Sequence, residues 1–149
     1  MSELRTGSPA AFADEVLRDC LHAFPEVAFS VTGQCMRPDL NEGERVRLVS
    51  PVLRPPRLGD VVLTRCGGDL RLHRLVWGPP FVRRATGLRT QADRASSLDP
   101  TLGAADILGT VVAVEGRGYS PRPIRAIQSL ARAALNRLRS AARSLRLVR

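Results

Sequence analysis

The chain has 149 residues, 44% of them hydrophobic, and 23 basic against 14 acidic residues give it a formal net charge of +9 at pH 7. This length suits one domain that buries a core without added crosslinks, and the three cysteines lack the Cys-x-x-Cys spacing of zinc or redox motifs. All 23 basic residues are arginine, which cannot accept a proton, so a general base near neutral pH must be His22 or His73.

The first predicted element is a helix over residues 9–24. Apolar residues recur there every three or four positions, Pro9 suits the first turn and Pro25 ends the pattern. His22 falls on the polar side of this helix, so we expect a solvated surface histidine rather than a base. Residues 1–9 lack the layout of a secretory signal, and no stretch reaches the roughly 20 apolar residues that span a bilayer. These features predict a cytoplasmic protein.

From residue 27 onward the pattern predicts a mainly β, barrel-like body of short strands broken by glycine and proline. Glycines 67–68 predict a two-residue hairpin turn that pairs Cys66 with Asp69 and places His73 opposite Val62. His73 is thereby held on a strand, and Cys66, near the turn, is expected to be an exposed thiol. The predicted strands cover residues 27–31, 45–49, 60–64, 70–77, 81–84 and 107–114.

The last segment predicts an amphipathic, arginine-rich helix beginning near residue 123. Such a helix could pack on the domain with a solvated arginine face, lie on an anionic membrane surface, or contact phosphates of nucleic acid. We divide the chain into an N-terminal helix (1–26), a β domain (27–116) and a basic C-terminal helix (117–149). The predicted apolar stripe consists of Ile127, Ala131, Ala134, Leu138, Ala141, Leu145 and Val148.

Residues 32–38, with the sequence TGQCMRP, carry the candidate nucleophile. A thiol near its reference pKa of about 8.5 is weakly ionised at neutral pH, so Cys35 would need a base, and His73 is the candidate. Gly33 permits close backbone approach, and the main-chain N–H of Cys35 is the first candidate oxyanion donor, with Gln34 as a second. The structural alternative is that Cys35 is a small apolar residue and His73 an ordinary hydrogen-bonded strand histidine.

Residues 29–40, with the sequence FSVTGQCMRPDL, resemble the nucleophile box of the type I signal peptidase superfamily, with Cys35 where that family has serine. The segments RLGDVV at 57–62, HRLV at 73–76, TQAD at 90–93 with Asp99, and ILGTV at 107–111 resemble its later boxes in the same order. Family members use either lysine or histidine as the base. Because lysine is absent, the resemblance points to the histidine branch.

This resemblance implies a signal-peptidase-like fold and a peptidase that cuts a leader or signal-like segment, bound as an added strand beside Cys35. It implies Cys35 as nucleophile, His73 as base and Asp99 as the carboxylate that orients it, without a metal or another cofactor. Asp93 is expected to hold its loop through backbone hydrogen bonds. The remaining supporting residues are Gly33, Gln34, Met36 and Pro38.

Signal peptidases act at membranes, so by analogy we favour an anionic membrane surface, at the inner membrane face, as the partner of the basic helix. The alternatives are a catalytically inactive peptide-binding module of the same fold, or a nucleic-acid-associated regulator related to the SOS-repressor autoproteases. No helix-turn-helix pattern precedes the β body, so nucleic acid is not an expected partner. The oligomeric state is left open.

Overall fold

A computed structural model describes residues 9–78, 86–120 and 122–146, which contain two α-helices and seven strands. The seven strands form one antiparallel sheet in the order β1-β2-β7-β3-β4-β5-β6. The predicted mainly β body between an N-terminal and a C-terminal helix is therefore confirmed. The elements are α1 (Pro9–Ala23), β1 (Val27–Ser30), β2 (Arg45–Val49), β3 (Val61–Cys66), β4 (Asp69–Trp77), β5 (Thr86–Gln91), β6 (Leu102–Gly103), β7 (Ile107–Val114) and α2 (Pro123–Arg146).

Most elements have bounds close to the predicted ones, and the differences lie in the second half of the sheet. The pattern of residues 86–91 did not predict β5, which is defined by its pairing with β4. Strand β6 is only two residues long and is defined by its pairing with β5. The predicted strand at 81–84 lies outside the described residues. Strands β1 and β6 are the two edge strands of the sheet. Within the described ranges they do not pair with each other, so the sheet is not closed into a barrel there.

The hairpin between β3 and β4 has the predicted register. Gly67 and Gly68 have φ values of +62° and +90°, as the favoured two-residue turns require, and Cys66 pairs with Asp69. The prediction that Cys66 is an exposed thiol is wrong, because its side chain is only 8% exposed. Cys66 belongs to a core cluster with Val62, so the sheet face that they share is covered as far as the turn.

Two apolar clusters form the core, one on each face of the central hairpin. In β3 the alternation is direct, since Val61 and Leu63 belong to the larger cluster and Val62 to the smaller one. Leu17 and Leu21 of α1 pack in the larger cluster, so this helix covers one face of the sheet.

The C-terminal helix packs on the body beside β4 through small residues, and its exposed side carries larger aliphatic ones. Ala126, Ser129 and Ala133 are buried, and Gly59 lies so close that a Cβ atom there would be 2.6 Å from the Cα of Pro123. No helix in the described part of the chain is long and apolar enough to cross a membrane. Four aliphatic side chains of α2 are between 48% and 68% exposed: Ile124, Ile127, Leu135 and Leu138.

Candidate active site

His73 and Asp99, predicted as base and orienting carboxylate, are in direct contact. His73 lies within β4, opposite Val62 as predicted, and its Nδ1 atom is 2.6 Å from Oδ2 of Asp99. The side chains are only 11% and 13% exposed, so water competes little for this hydrogen bond. The main-chain N–H of Asp99 donates to the carbonyl of Thr90 at 2.9 Å, and this bond fixes the Asp99 loop against β5.

The surroundings of Asp99 favour its ionised form. Burial alone would raise its pKa, but hydrogen bonds from His73 and from the Thr90 hydroxyl, at 2.7 Å, together with the charge of Arg71, lower the pKa below its usual value. An ionised carboxylate accepts a hydrogen bond, which assigns the imidazole proton to Nδ1. In this tautomer, Nε2 of His73 is free to accept a proton from another group.

Cys35 lies in the turn that follows β1 and is held from two sides. The next residue, Met36, is almost fully buried in the larger core cluster and fixes the turn against the body. The carbonyl of Cys35 accepts the main-chain N–H of Arg94 at 3.1 Å, which joins this turn to the loop that follows β5. Gly33 begins the turn with a φ of +79°, a conformation that favours glycine.

The thiol of Cys35 is half-buried, and its pKa is raised. The largest cause is burial, and the negative charges of Asp99 and Asp93 raise the pKa further, while the main-chain N–H groups of Cys35 and Met36 act in the opposite direction. The two carboxylates are therefore close enough to act electrostatically on the sulfur. The resting thiol is protonated at neutral pH.

Asp93 differs from its expected role. We expected backbone hydrogen bonds, but its carboxylate accepts two side-chain bonds from Arg74, from Nε to Oδ1 and from Nη2 to Oδ2, both 2.7 Å long. The reason is the burial of Arg74, which is 0% exposed and needs a counter-charge within β4. Gln34 is exposed and accepts a hydrogen bond from Arg37, and Pro38 lines a surface groove together with Arg37.

Arg74 is the site residue that the sequence analysis did not single out. Besides its bonds to Asp93, it donates to the carbonyl of Gly59 at 2.7 Å and to Oδ2 of Asp39 at 2.6 Å. The other oxygen of Asp39 lies 3.1 Å from Arg122 and 3.3 Å from Arg125 of the C-terminal segment. This charge network connects the Cys35 turn, β4, the loop after β5 and the start of α2.

The remaining candidates lie apart from this site. His22 is exposed at the end of α1, as predicted. The described residues contain no group of three or more His, Cys, Asp or Glu side chains that could hold a metal ion. Compared with protein-family models, with curated proteins and with solved structures, the chain has no match, so its resemblance to signal peptidases rests on the motifs alone.

Proposed function

We propose that this chain is a cysteine peptidase of signal-peptidase-like fold that cleaves a leader or signal-like segment. Cys35 is the nucleophile, His73 the general base and Asp99 the group that orients His73. The contact between His73 Nδ1 and Asp99 Oδ2 carries the proposal, because a strand histidine buried for packing alone does not need an ionised carboxylate at 2.6 Å.

The raised pKa of Cys35 favours a mechanism that starts from the neutral thiol. A preformed thiolate and imidazolium pair would require a lowered pKa, so here the proton leaves during attack rather than before it. Sγ of Cys35 bonds to the peptide carbonyl carbon while Nε2 of His73 takes the thiol proton. His73 then returns this proton to the leaving amine as the carbon–nitrogen bond breaks. Water, activated by the same imidazole, hydrolyses the thioester.

The developing oxyanion needs donors, and the Cys35 turn offers main-chain N–H groups. The N–H groups of Cys35 and Met36 lower the pKa of the thiol and so favour negative charge at this position. Donors in this position could stabilise negative charge on a carbonyl oxygen held over the same atom. The N–H of Cys35 remains our first candidate.

The substrate would bind in extended form along β1. This strand leads into the Cys35 turn, and within the described ranges its sheet partner is β2 alone, on one side. The other side can pair with an added strand, whose main-chain hydrogen bonds would bring the scissile carbonyl toward Cys35.

Covalent labelling tests the proposal directly. The full chain with Cys20→Ser and Cys66→Ser keeps one thiol, and an activated peptide thioester should acylate it, giving the acyl mass on the intact protein. Cys35→Ala should abolish the added mass, and His73→Ala should slow acylation by about 10²–10⁴-fold, the usual contribution of a general base. His22→Ala is the matched control, since it removes the other imidazole, and should leave the rate unchanged.

The inactive peptide-binding module predicts a different result. Peptides would then bind without being cleaved, and any slow acylation of the thiol would have the same rate in His73→Ala as in the parent protein. Labelling that survives Cys35→Ala would equally reject the proposed nucleophile.

We also propose that α2 contacts an anionic membrane surface. The observation in favour is that its larger aliphatic residues face solvent, while a smaller-residue face packs on the body. Arg139 and Arg143, one helical turn apart and both exposed, follow one flank of that aliphatic side. An aliphatic stripe beside a row of cations suits the boundary between lipid headgroups and acyl chains.

Sedimentation with lipid vesicles tests this second proposal. Vesicles rich in phosphatidylglycerol should bind the chain more tightly than phosphatidylcholine vesicles, and the difference should shrink with added salt. Leu138→Glu should weaken binding, whereas Glu115→Gln, away from α2, should not. Equal binding to both lipids, or a stable dimer that buries Leu138 in solution, would contradict the proposal.

A further inference from the structure

A groove of about 650 Å³ lies between the Cys35 turn and α2, and its lining is strongly basic. This size falls within the range of about 300–1,000 Å³ that is usual for ligand sites. The turn contributes Arg37 and Pro38, the loop after β5 contributes Asp93 and Arg94, and the helix contributes the remaining side. The helix residues are Arg125, Gln128, Ala131 and Arg132.

The charges in this groove are unbalanced. Asp93 is the sole carboxylate among the described lining residues, and both of its oxygens are held by Arg74. Arg37 bonds to the neutral side chains of Asn41 and Gln34, and Arg132 to the hydroxyl of Ser129. In the part of the chain that the structure describes, no carboxylate pairs with Arg37, Arg94 or Arg132, so an anion entering the groove would not have to displace one.

The groove adjoins the candidate nucleophile through covalent and hydrogen-bonded connections. Arg37 follows Cys35 by two residues, and the main-chain N–H of Arg94 donates to the Cys35 carbonyl at 3.1 Å. A peptide whose scissile bond lies at Cys35 would therefore have neighbouring residues within reach of these guanidinium groups. Guanidinium groups pair well with carboxylates because two parallel N–H groups match two oxygens.

We propose that this groove binds an acidic segment of the peptide substrate, one rich in aspartate or glutamate beside the scissile bond. The inference rests on the proposed peptidase function and adds a substrate class to it. A peptide is favoured over a lipid headgroup because the arginines come from three separate elements around a recess next to Cys35. The exposed aliphatic residues of α2, such as Ile127 and Leu138, are absent from the groove lining.

Binding measured without turnover tests this inference separately from catalysis. The full chain with Cys35→Ala is titrated against two fluorescein-labelled peptides, one carrying three glutamates and one with glutamine at those positions, and binding is followed by anisotropy. Two or three exposed ion pairs should favour the acidic peptide by about tenfold at low salt, with the preference falling as salt rises.

Charge removal inside and outside the groove identifies the site. Arg94→Gln combined with Arg132→Gln should reduce the preference to about twofold or less, since most of the ion pairs are lost. Arg137→Gln combined with Arg139→Gln removes the same charge from α2 outside the groove lining, and should leave the preference nearly unchanged.

Three outcomes would overturn the inference. The first is equal affinity for both peptides in the parent chain. The second is an equal loss in the Arg137 and Arg139 control, which would mean that net charge alone attracts the peptide. The third is a groove variant that loses binding to phosphatidylglycerol vesicles while keeping its peptide preference, which would assign the groove to lipid. A chain that prefers acidic peptides but never forms an acyl-protein would reject the peptidase while supporting the groove.

Discussion

Replacing Arg74 with methionine tests how much the buried charge network contributes to stability. The wild-type guanidinium makes four hydrogen bonds of 2.6–2.7 Å, two to Asp93, one to Asp39 and one to the carbonyl of Gly59. Methionine fills part of the same volume but offers no donor. Asp39 keeps Arg122 and Arg125 nearby, so the main consequence is a buried and unpaired Asp93.

The expected cost is large relative to the stability of a domain this size. Breaking a buried ion pair by removing one partner costs about 3–5 kcal/mol, against a total unfolding free energy of about 5–15 kcal/mol. With a urea m-value of about 1–3 kcal/mol per molar, the unfolding midpoint of Arg74→Met should fall by about 2 M. Adding Asp93→Asn should recover part of this loss, because the unpaired charge is then removed as well.

Urea unfolding followed by circular dichroism measures these differences. The matched control is Arg45→Met on β2, which breaks an exposed pair with Glu115 at 3.6 Å and should cost no more than about 1 kcal/mol. If Arg74→Met costs no more than Arg45→Met, or if Asp93→Asn makes the Arg74 variant less stable still, the network does not contribute to stability as described.

Three further changes have distinct expected results. Gly59→Ala places a Cβ 2.6 Å from the first residue of α2. The control is Gly68→Ala, where φ is the same +90° but the space around the Cβ is open. Thermal unfolding should show that Gly59→Ala destabilises the fold by about 1–3 kcal/mol more than Gly68→Ala. A hydrogen bond from Arg117 lowers the pKa of Glu44 to about 2. The stabilisation of the fold by ionised Glu44 is therefore present above pH 4.5 and is lost as the pH falls toward 2. In acid unfolding experiments, Glu44→Gln should remove this part of the pH dependence of the unfolding free energy. Thr90→Val removes a hydrogen bond to Asp99 and should raise the pKa of the Asp99 carboxyl. Carbon NMR titration measures this pKa, and an unchanged value would contradict the role given to the Thr90 hydroxyl.

Local patterns predicted the hairpin and the helices well, because the signals there are short-range. Glycines 67–68 select one turn type, and that turn fixes the partner of every residue from Val61 to Cys66. Residues 86–91 contain no comparable run, and their strand conformation follows from pairing with β4, a contact between distant segments. The exposure of Cys66 was mispredicted because a turn signal does not reveal what covers the adjoining sheet face.

The candidate site was predicted unevenly for a similar reason. The contact of His73 with Asp99 was expected from the order of motifs, but the partner of Asp93 was not, because it depends on which side chains meet in three dimensions. A charged residue inside the apolar run LHRLV was the available signal for Arg74, since a buried strand arginine requires carboxylates nearby. Likewise, periodicity identified the helical stripe of α2 but not the face that packs on the body.

The raised pKa of the Cys35 thiol also bears on its chemical durability. Peroxides and disulfides react with the anionic form of sulfur, so a side chain that keeps its hydrogen at rest is a poor target for oxidative damage. Under the proposed mechanism, this sulfur would become reactive only while a substrate occupies the site.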